Sequence, residues 1–132
     1  MNTELFIGGN SKDLRGKLRF CNDFDMSAVK RFYAISNSAE QPVRGWIGHK
    51  KETKWFFPLR GVTVIEVETM DFVAKDAENA KGLVELAADR PAVLKVPPGN
   101  WFKIVQYGGA EVMVFSDCRV GEYKDDDFRR PI

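Results

Sequence analysis

Histidine is the scarcest of the chemistry-bearing residues in this chain: 132 residues contain one, His49, beside only two cysteines, Cys21 and Cys118. Catalytic zinc and iron centres draw on two or three imidazoles, or on an imidazole with several placed carboxylates, so no metal and no other cofactor is expected. The two cysteines lie too far apart to read as a zinc framework, and two reduced thiols are the expectation. An excess of charge of one sign is also lacking. Twenty Lys and Arg stand against nineteen Asp and Glu, for a net charge of +1, which gives no bulk attraction for nucleic acid or for an acidic membrane surface. No apolar run approaches the ~20 residues of a membrane-spanning helix, and the opening MNTELFIGGN has no basic stretch followed by a long apolar one. A cytoplasmic protein without a nucleic-acid or membrane partner is the expectation. FIGGN and YGGAE have neither the spacing of a dinucleotide loop nor the Lys and Ser/Thr of a phosphate loop. Nucleophilic triads lack a convincing partner set.

What is present is a series of short runs rich in β-branched and aromatic residues: KRFYAIS, KWFFPL, VTVIEVE, AVLKVP, FKIVQY and EVMVFSD. Turn chemistry separates them, in NSAEQP, Gly61, PPGN and the glycine pair of YGGAE, where proline fixes φ or glycine tolerates a positive one. This pattern predicts an all-β barrel or sandwich in one domain spanning residues 1–132. VTVIEVE alternates, as a strand with one buried face does. KDAENAKGLVELAADRP is read as a loop or turn followed by a strand near Leu83 to Ala87. The end, GEYKDDDFRRPI, reads as a solvated tail that Tyr123 and Phe128 can anchor. ELFI has no obvious partner strand within the chain and is free to extend a neighbour's sheet, so a homodimer is expected.

With metals and triads set aside, acid–base chemistry remains. An imidazole, with its ordinary pKa near ~6.5, takes and returns protons at neutral pH, so His49 is either a base or a packed side chain. Arg44 precedes it in one strand, and a bend or bulge at Gly45 or Gly48 puts both on one face. Arg44 and Arg60 each suit a carboxylate, a phosphate or a developing enolate oxygen, or else a surface acid. Trp46, Trp55, Trp101 and Tyr107 suit stacking on a base or sugar ring, or core packing. Phe56, Phe57 and Phe115 read as core.

Four separated stretches then carry a resemblance: DLRGKL at 13–18, KRFY at 30–33, RGWIGHK at 44–50, and PPGNW, SD and EYKDDDFRR between 97 and 130. Together and in this order they resemble the small cupins that act as dTDP-sugar 3,4-ketoisomerases, relatives of dTDP-4-dehydrorhamnose 3,5-epimerase. The resemblance implies a double-stranded β-helix, the cupin jelly roll, commonly dimeric. It implies a nucleotide-linked 4-keto-6-deoxyhexose (a dTDP-hexose) as partner, no metal, and movement of a carbonyl from sugar C4 to C3 in deoxysugar biosynthesis. It makes His49 the base, Arg44 the enolate stabiliser and Tyr33 a pocket donor. The expected substrate contacts, from the resemblance and the residues together, are Arg15, Arg31, Trp46, Lys54, Arg60, Trp101 and Tyr107. The chain departs from the family pattern at Ile47 and Phe102, where histidines are usual, and at Lys54, where a glutamine is usual. Two readings stay open: an isomerase or epimerase, or a sugar-nucleotide-binding cupin that has lost part of its site.

Overall fold

The computed structural model describes residues 2–70 and 80–132. Two five-stranded antiparallel sheets face each other, in the orders β1-β9-β6-β11-β4 and β12-β5-β10-β7-β8. The strands of the first are β1 (Glu4–Ile7), β4 (Arg31–Ile35), β6 (Lys54–Arg60), β9 (Ala92–Val96) and β11 (Glu111–Ser116). Those of the second are β5 (Val43–His49), β7 (Val62–Thr69), β8 (Lys81–Ala87), β10 (Asn100–Gln106) and β12 (Phe128–Arg129). A hairpin of β2 (Gly9–Asp13) and β3 (Gly16–Phe20) stands apart. This is the expected jelly roll, and the strand read near Leu83 is β8. The turn read before it falls on residues 75–79, outside the described residues.

Alternation decides which side chains enter the lumen between the sheets. In β10, Asn100, Phe102, Ile104 and Gln106 are buried, while Trp101, Lys103 and Val105 turn outward. In β7, Thr63, Ile65 and Val67 are buried and Glu66 and Glu68 stay on the outer side. The lumen core comprises Ile35, Ile47, Phe56, Ile65, Val67, Leu86, Leu94, Val96, Phe102, Ile104, Val112 and Val114. Strand β6 breaks the alternation because both its faces are covered: Phe56 enters the lumen, and Trp55 packs outside against Phe24, ring centroids 5.8 Å apart. Phe115 also meets Phe24, at 5.2 Å, so Trp55 and Phe115 form a second apolar layer behind the sheet.

Two expectations need correction. ELFI does have an internal partner, since β1 pairs antiparallel with β9, Glu4 opposite Lys95 through Ile7 opposite Ala92. Sequence proximity could not reveal it, because the pairing spans most of the chain. The tail is not a solvated end either: Phe128 and Arg129 pair with Gly48 and Ile47 of β5, and Asp126 is only 2% exposed.

Candidate active site

The lumen closes with hydrocarbon at one end and opens at the other into a cavity of about 380 Å³, within the ~300–1,000 Å³ range of small-molecule sites. Its walls come from alternate residues along β4, the end of β5, the start of β6, the middle of β10, and the returning segment 118–129. Ile35, Phe56, Phe102 and Ile104 form the apolar base; His49, Glu52, Lys54, Tyr33, Arg31 and Asp126 bring the polar groups.

His49 ends β5 and is 7% exposed. Its Nδ1 lies 2.6 Å from the backbone carbonyl oxygen of Asp126. A carbonyl only accepts, so Nδ1 carries the proton and donates it, and Nε2 is left with a lone pair. That Nε2 is buried and has no hydrogen-bond partner among the described residues. The carboxylate of Asp126 accepts from the backbone N–H groups of Lys50, Lys51 and Glu52 at 2.6–3.1 Å, which folds the β5–β6 turn around it. This turn delivers Glu52 into the cavity. Glu52 Oε1 stands 3.7 Å from His49 Nδ1 and Oε2 stands 2.6 Å from Lys54 Nζ. Oε2 also accepts from the Ser116 hydroxyl and, at 3.5 Å, from Arg31. Burial pushes the Glu52 carboxyl up, but hydrogen bonds from Lys54 and Ser116 and the charge of Lys54 outweigh it and hold the group below the usual carboxylate range. Lys54, 4% exposed, donates a second bond to the Tyr33 hydroxyl at 2.9 Å. Arg31 donates from Nε to the Cys118 carbonyl at 2.8 Å and lies over the Tyr33 ring.

His49, Glu52 and Asp126 each bring a ligand-type atom within 4.8 Å of the others. They fit a metal poorly. Nδ1 is committed to a carbonyl, the Asp126 oxygens to three N–H groups, and Glu52 to an ammonium that would repel a cation.

Of the residues expected from sequence, His49, Tyr33, Arg31 and Lys54 line this cavity. The others do not, and each has a physical reason. The bulge at Gly45 and Trp46 sets Arg44 opposite Ile104, on the lumen-facing side, yet Arg44 lies at the far end of β5 from His49. Its exposed guanidinium donates to Asn37 Oδ1 at 3.2 Å, outside the cavity. Trp46 and Trp101 stand on the outer face of the second sheet, with the Arg130 guanidinium over both, 4.5 and 5.0 Å from the ring centroids. Arg15 is exposed at the tip of the β2–β3 hairpin, paired with Asp13 at 2.6 Å. Arg60 is exposed and faces Glu111 at 3.6 Å. Tyr107 is 69% exposed in the β10–β11 turn. Trp55, weighed as a stacking group, is the packed residue described above. Glu52, Ser116 and Asp126 escaped the sequence reading. Glu52 lies in a run that reads as solvated charge, and Asp126 sits 77 positions from His49 in a run of three aspartates. The signals for Asp126 were the neighbouring Phe128 and its place within EYKDDDFRR, and neither singles it out from Asp125 and Asp127.

The family model described as "FdtA: WxcM-like, C-terminal" matches residues 1–131. A search of curated proteins returns no match. Among solved structures, the QdtA sugar 3,4-ketoisomerase from Thermoanaerobacterium thermosaccharolyticum in complex with TDP is similar at 22% identity, over 98% of this chain and 88% of that one, with a TM-score of 0.74. A dTDP sugar isomerase from Desulfovibrio desulfuricans G20 is similar at 19% identity, over 98% and 84% of the two chains, with a TM-score of 0.77. ChmJ, a 3′-monoepimerase from Streptomyces bikiniensis in complex with dTDP-quinovose, is similar at 14% identity, over 89% and 64%, with a TM-score of 0.73. At these identities the likeness fixes the fold.

Proposed function

The chain belongs to the FdtA, WxcM-like C-terminal family, and on that premise we propose that it isomerises or epimerises a nucleotide-linked 4-keto-6-deoxyhexose without a metal, with His49 as the base. The observation that carries this reading is the buried Nε2 of His49, without a hydrogen-bond partner among the described residues, at the wall of a cavity of small-molecule size. A histidine kept only for packing has its second nitrogen satisfied or removed from polar demand, because a buried unpaired nitrogen costs about 1–3 kcal/mol. Here the unpaired nitrogen is the basic one. The Asp126 carbonyl fixes the tautomer, and Glu52 and Asp126 carboxylate oxygens at 3.7 and 4.0 Å from Nδ1 offset the charge of the imidazolium that forms when Nε2 takes a proton.

In this reading the ring of the sugar enters the cavity and its C3–H points at Nε2. His49 removes that proton, and the electron pair moves into a C3–C4 double bond as the C4 carbonyl oxygen takes the negative charge. Return of the proton to C4, with transfer of the O3 hydroxyl proton to O4, leaves a 3-keto sugar. Tyr33, its oxygen accepting from Lys54, keeps its own O–H free for a substrate oxygen. Neighbours of the same fold in complex with TDP, TDP-4-keto-6-deoxyglucose and dTDP-quinovose support the substrate class.

Incubation with dTDP-4-keto-6-deoxyglucose in deuterated water, followed by NMR of the sugar protons, tests the reading. Deuterium incorporation at C3 or C4, abolished in His49→Asn, is expected; no product and no exchange in the intact protein defeats it for this substrate. Ile47 and Phe102 support the alternative of a binding-only cupin, since both place hydrocarbon against the cavity, Phe102 with its ring 5.9 Å from that of His49. Calorimetry showing dTDP-sugar binding without exchange selects that alternative.

A homodimer belongs to the same proposal. Among the described residues the β2–β3 hairpin has no third strand, and such a hairpin is marginal when unsupported. It leaves Leu14 and Leu18 exposed, and Ile7 of β1 and Phe32 of β4 are exposed as well.

A further inference from the structure

Arg44 lies outside the cavity, so the negative charge that develops on the reacting oxygen needs another cation. We propose that Lys54 is that cation, a catalytic residue for the keto-sugar reaction, and that Glu52 is the positioning residue that fixes its ammonium at the cavity wall. The proposal rests on the reading of this cavity as a keto-sugar site.

Three observations carry it. Lys54 is 4% exposed and lines the cavity, where low dielectric makes a charge count for more than at the surface. Two of its three N–H groups are accounted for, by Glu52 Oε2 at 2.6 Å and Tyr33 Oη at 2.9 Å, which leaves one donor for a ligand oxygen. Glu52 also faces His49, 3.7 Å from Nδ1 through its other oxygen. One carboxylate thus spans the base and the cation, and places both on the same reacting unit. Arg31, the other cavity cation near Glu52, is a weaker candidate: its Nε is taken by the Cys118 carbonyl, and about a third of its side chain is exposed.

The step balances within the substrate and these groups. His49 Nε2 takes the C3 proton, the C–H pair becomes the C3–C4 π bond, and the C4–O4 π pair moves to O4, whose negative charge the Lys54 N–H meets. The O3 hydroxyl proton passes to O4, the O3 electron pair forms the C3=O bond, and the C3–C4 π pair takes the proton that the imidazolium returns to C4, so no oxidant or reductant is consumed.

The test compares intact protein with Lys54→Gln, Lys54→Met, Glu52→Gln and the Lys54→Gln/Glu52→Gln double variant, with Arg44→Gln as the control outside the cavity. Lys54→Gln keeps a donor toward Glu52 and Tyr33 and serves if Lys54→Met does not fold. With dTDP-4-keto-6-deoxyglucose, Lys54→Gln is expected to lower kcat by ~10²–10³-fold, the usual effect of losing one oxyanion-stabilising donor, with KM little changed. Glu52→Gln is expected to act in the same direction, and the double variant to be little worse than Lys54→Gln, the sign of residues acting as one unit. Additive losses, or an effect on KM alone, overturn the assignment. A second readout separates it from the substrate reading. Oxalate is a planar dianion with oxygens on adjacent carbons, like an enediolate; its binding is followed by calorimetry and by NMR of the His49 ring. Lys54→Gln is expected to weaken oxalate about tenfold or more, as loss of a charged hydrogen bond does, while Arg44→Gln does not. If the intact protein proves inert toward keto-sugars, the proposed function fails, and unchanged oxalate affinity in Lys54→Gln then overturns the role of Lys54 as well.

Discussion

Lys54 and Glu52 show how much one side chain depends on another in a closed lumen. The ammonium is 5% exposed and the carboxylate 7%, and removing one partner of such a pair leaves the other charge buried and uncompensated. Glu52→Gln is therefore expected to destabilise the fold by roughly 3–5 kcal/mol, read as a lower urea midpoint at unchanged slope. The carboxyl of Glu52 is held below its ordinary value of 4.5. A group depressed in the folded state stabilises most where it is ionised in both states, so its contribution is complete above about 4.5 and is lost as the pH falls from there through the lower folded value. Intact protein should lose stability over that acid window more steeply than Glu52→Gln does. Equal acid profiles for the two would remove Glu52 as the source. His49 was legible from the sequence because it is the sole histidine; Glu52 was not, because nothing in HKKETK distinguishes the carboxylate and Lys54, turned inward, from Lys50 and Lys51, left in water.

Strand β5 and the returning segment form the element on which the cavity depends. The register between β5 and β10 slips where Lys103 faces Gly45 and Phe102 faces Ile47, which leaves Trp46 as the extra residue of a bulge. Gly45 has a φ of 120°, and a Cβ there would stand 2.8 Å from the Phe102 carbonyl oxygen. Gly45→Ala is expected to cost ~1–3 kcal/mol and to disturb the register that carries Ile47 and His49 into the lumen. A lower melting temperature and a shifted His49 ring signal would record both; wild-type values for both would contradict the role given to the bulge. The tail is fixed from two sides. Asp126 caps the 50–52 turn, and Arg130 meets Glu68 at 3.1 Å while its guanidinium covers Trp46 and Trp101. Asp126→Ala leaves three N–H groups of that turn without their acceptor. Faster hydrogen exchange at residues 50–52 and weaker ligand binding are expected; protection equal to the intact protein would show that the cap is dispensable. A bulge was anticipated at Gly45 or Gly48 and lies at the first of them, whereas the cap was not, since its two ends lie 74 positions apart.

For the molecule as a whole, the sheets are held by aliphatic and aromatic side chains that fill one end of the lumen and leave the other open. Phe56, fully buried, packs edge-on against Phe102 with centroids 5.4 Å apart. Phe56→Ala is expected to cost ~3–5 kcal/mol, and a loss well below that range in denaturant unfolding would mean the cavity collapses to fill the gap. Association is the other property at this scale. Sedimentation at micromolar concentration is expected to give twice the 15.0 kDa chain mass, and Leu14→Asp with Leu18→Asp to shift it to the monomer. A monomer in the unaltered protein removes the dimer.

The sequence by itself determined the class of fold, because alternation of apolar and polar residues with punctuating Gly and Pro is a local property that each strand carries alone. It also singled out His49 as the one imidazole that the proposed acid–base chemistry can use. The tertiary structure decided which cations share the cavity with that histidine. Arg44 and Trp46 lie closer in sequence to His49 than Asp126 does, but strand length and a single bulge carry them away, while a distant turn and tail converge on it. Side-chain convergence depends on register and return path, which are set by pairing across the whole chain and written in no single segment.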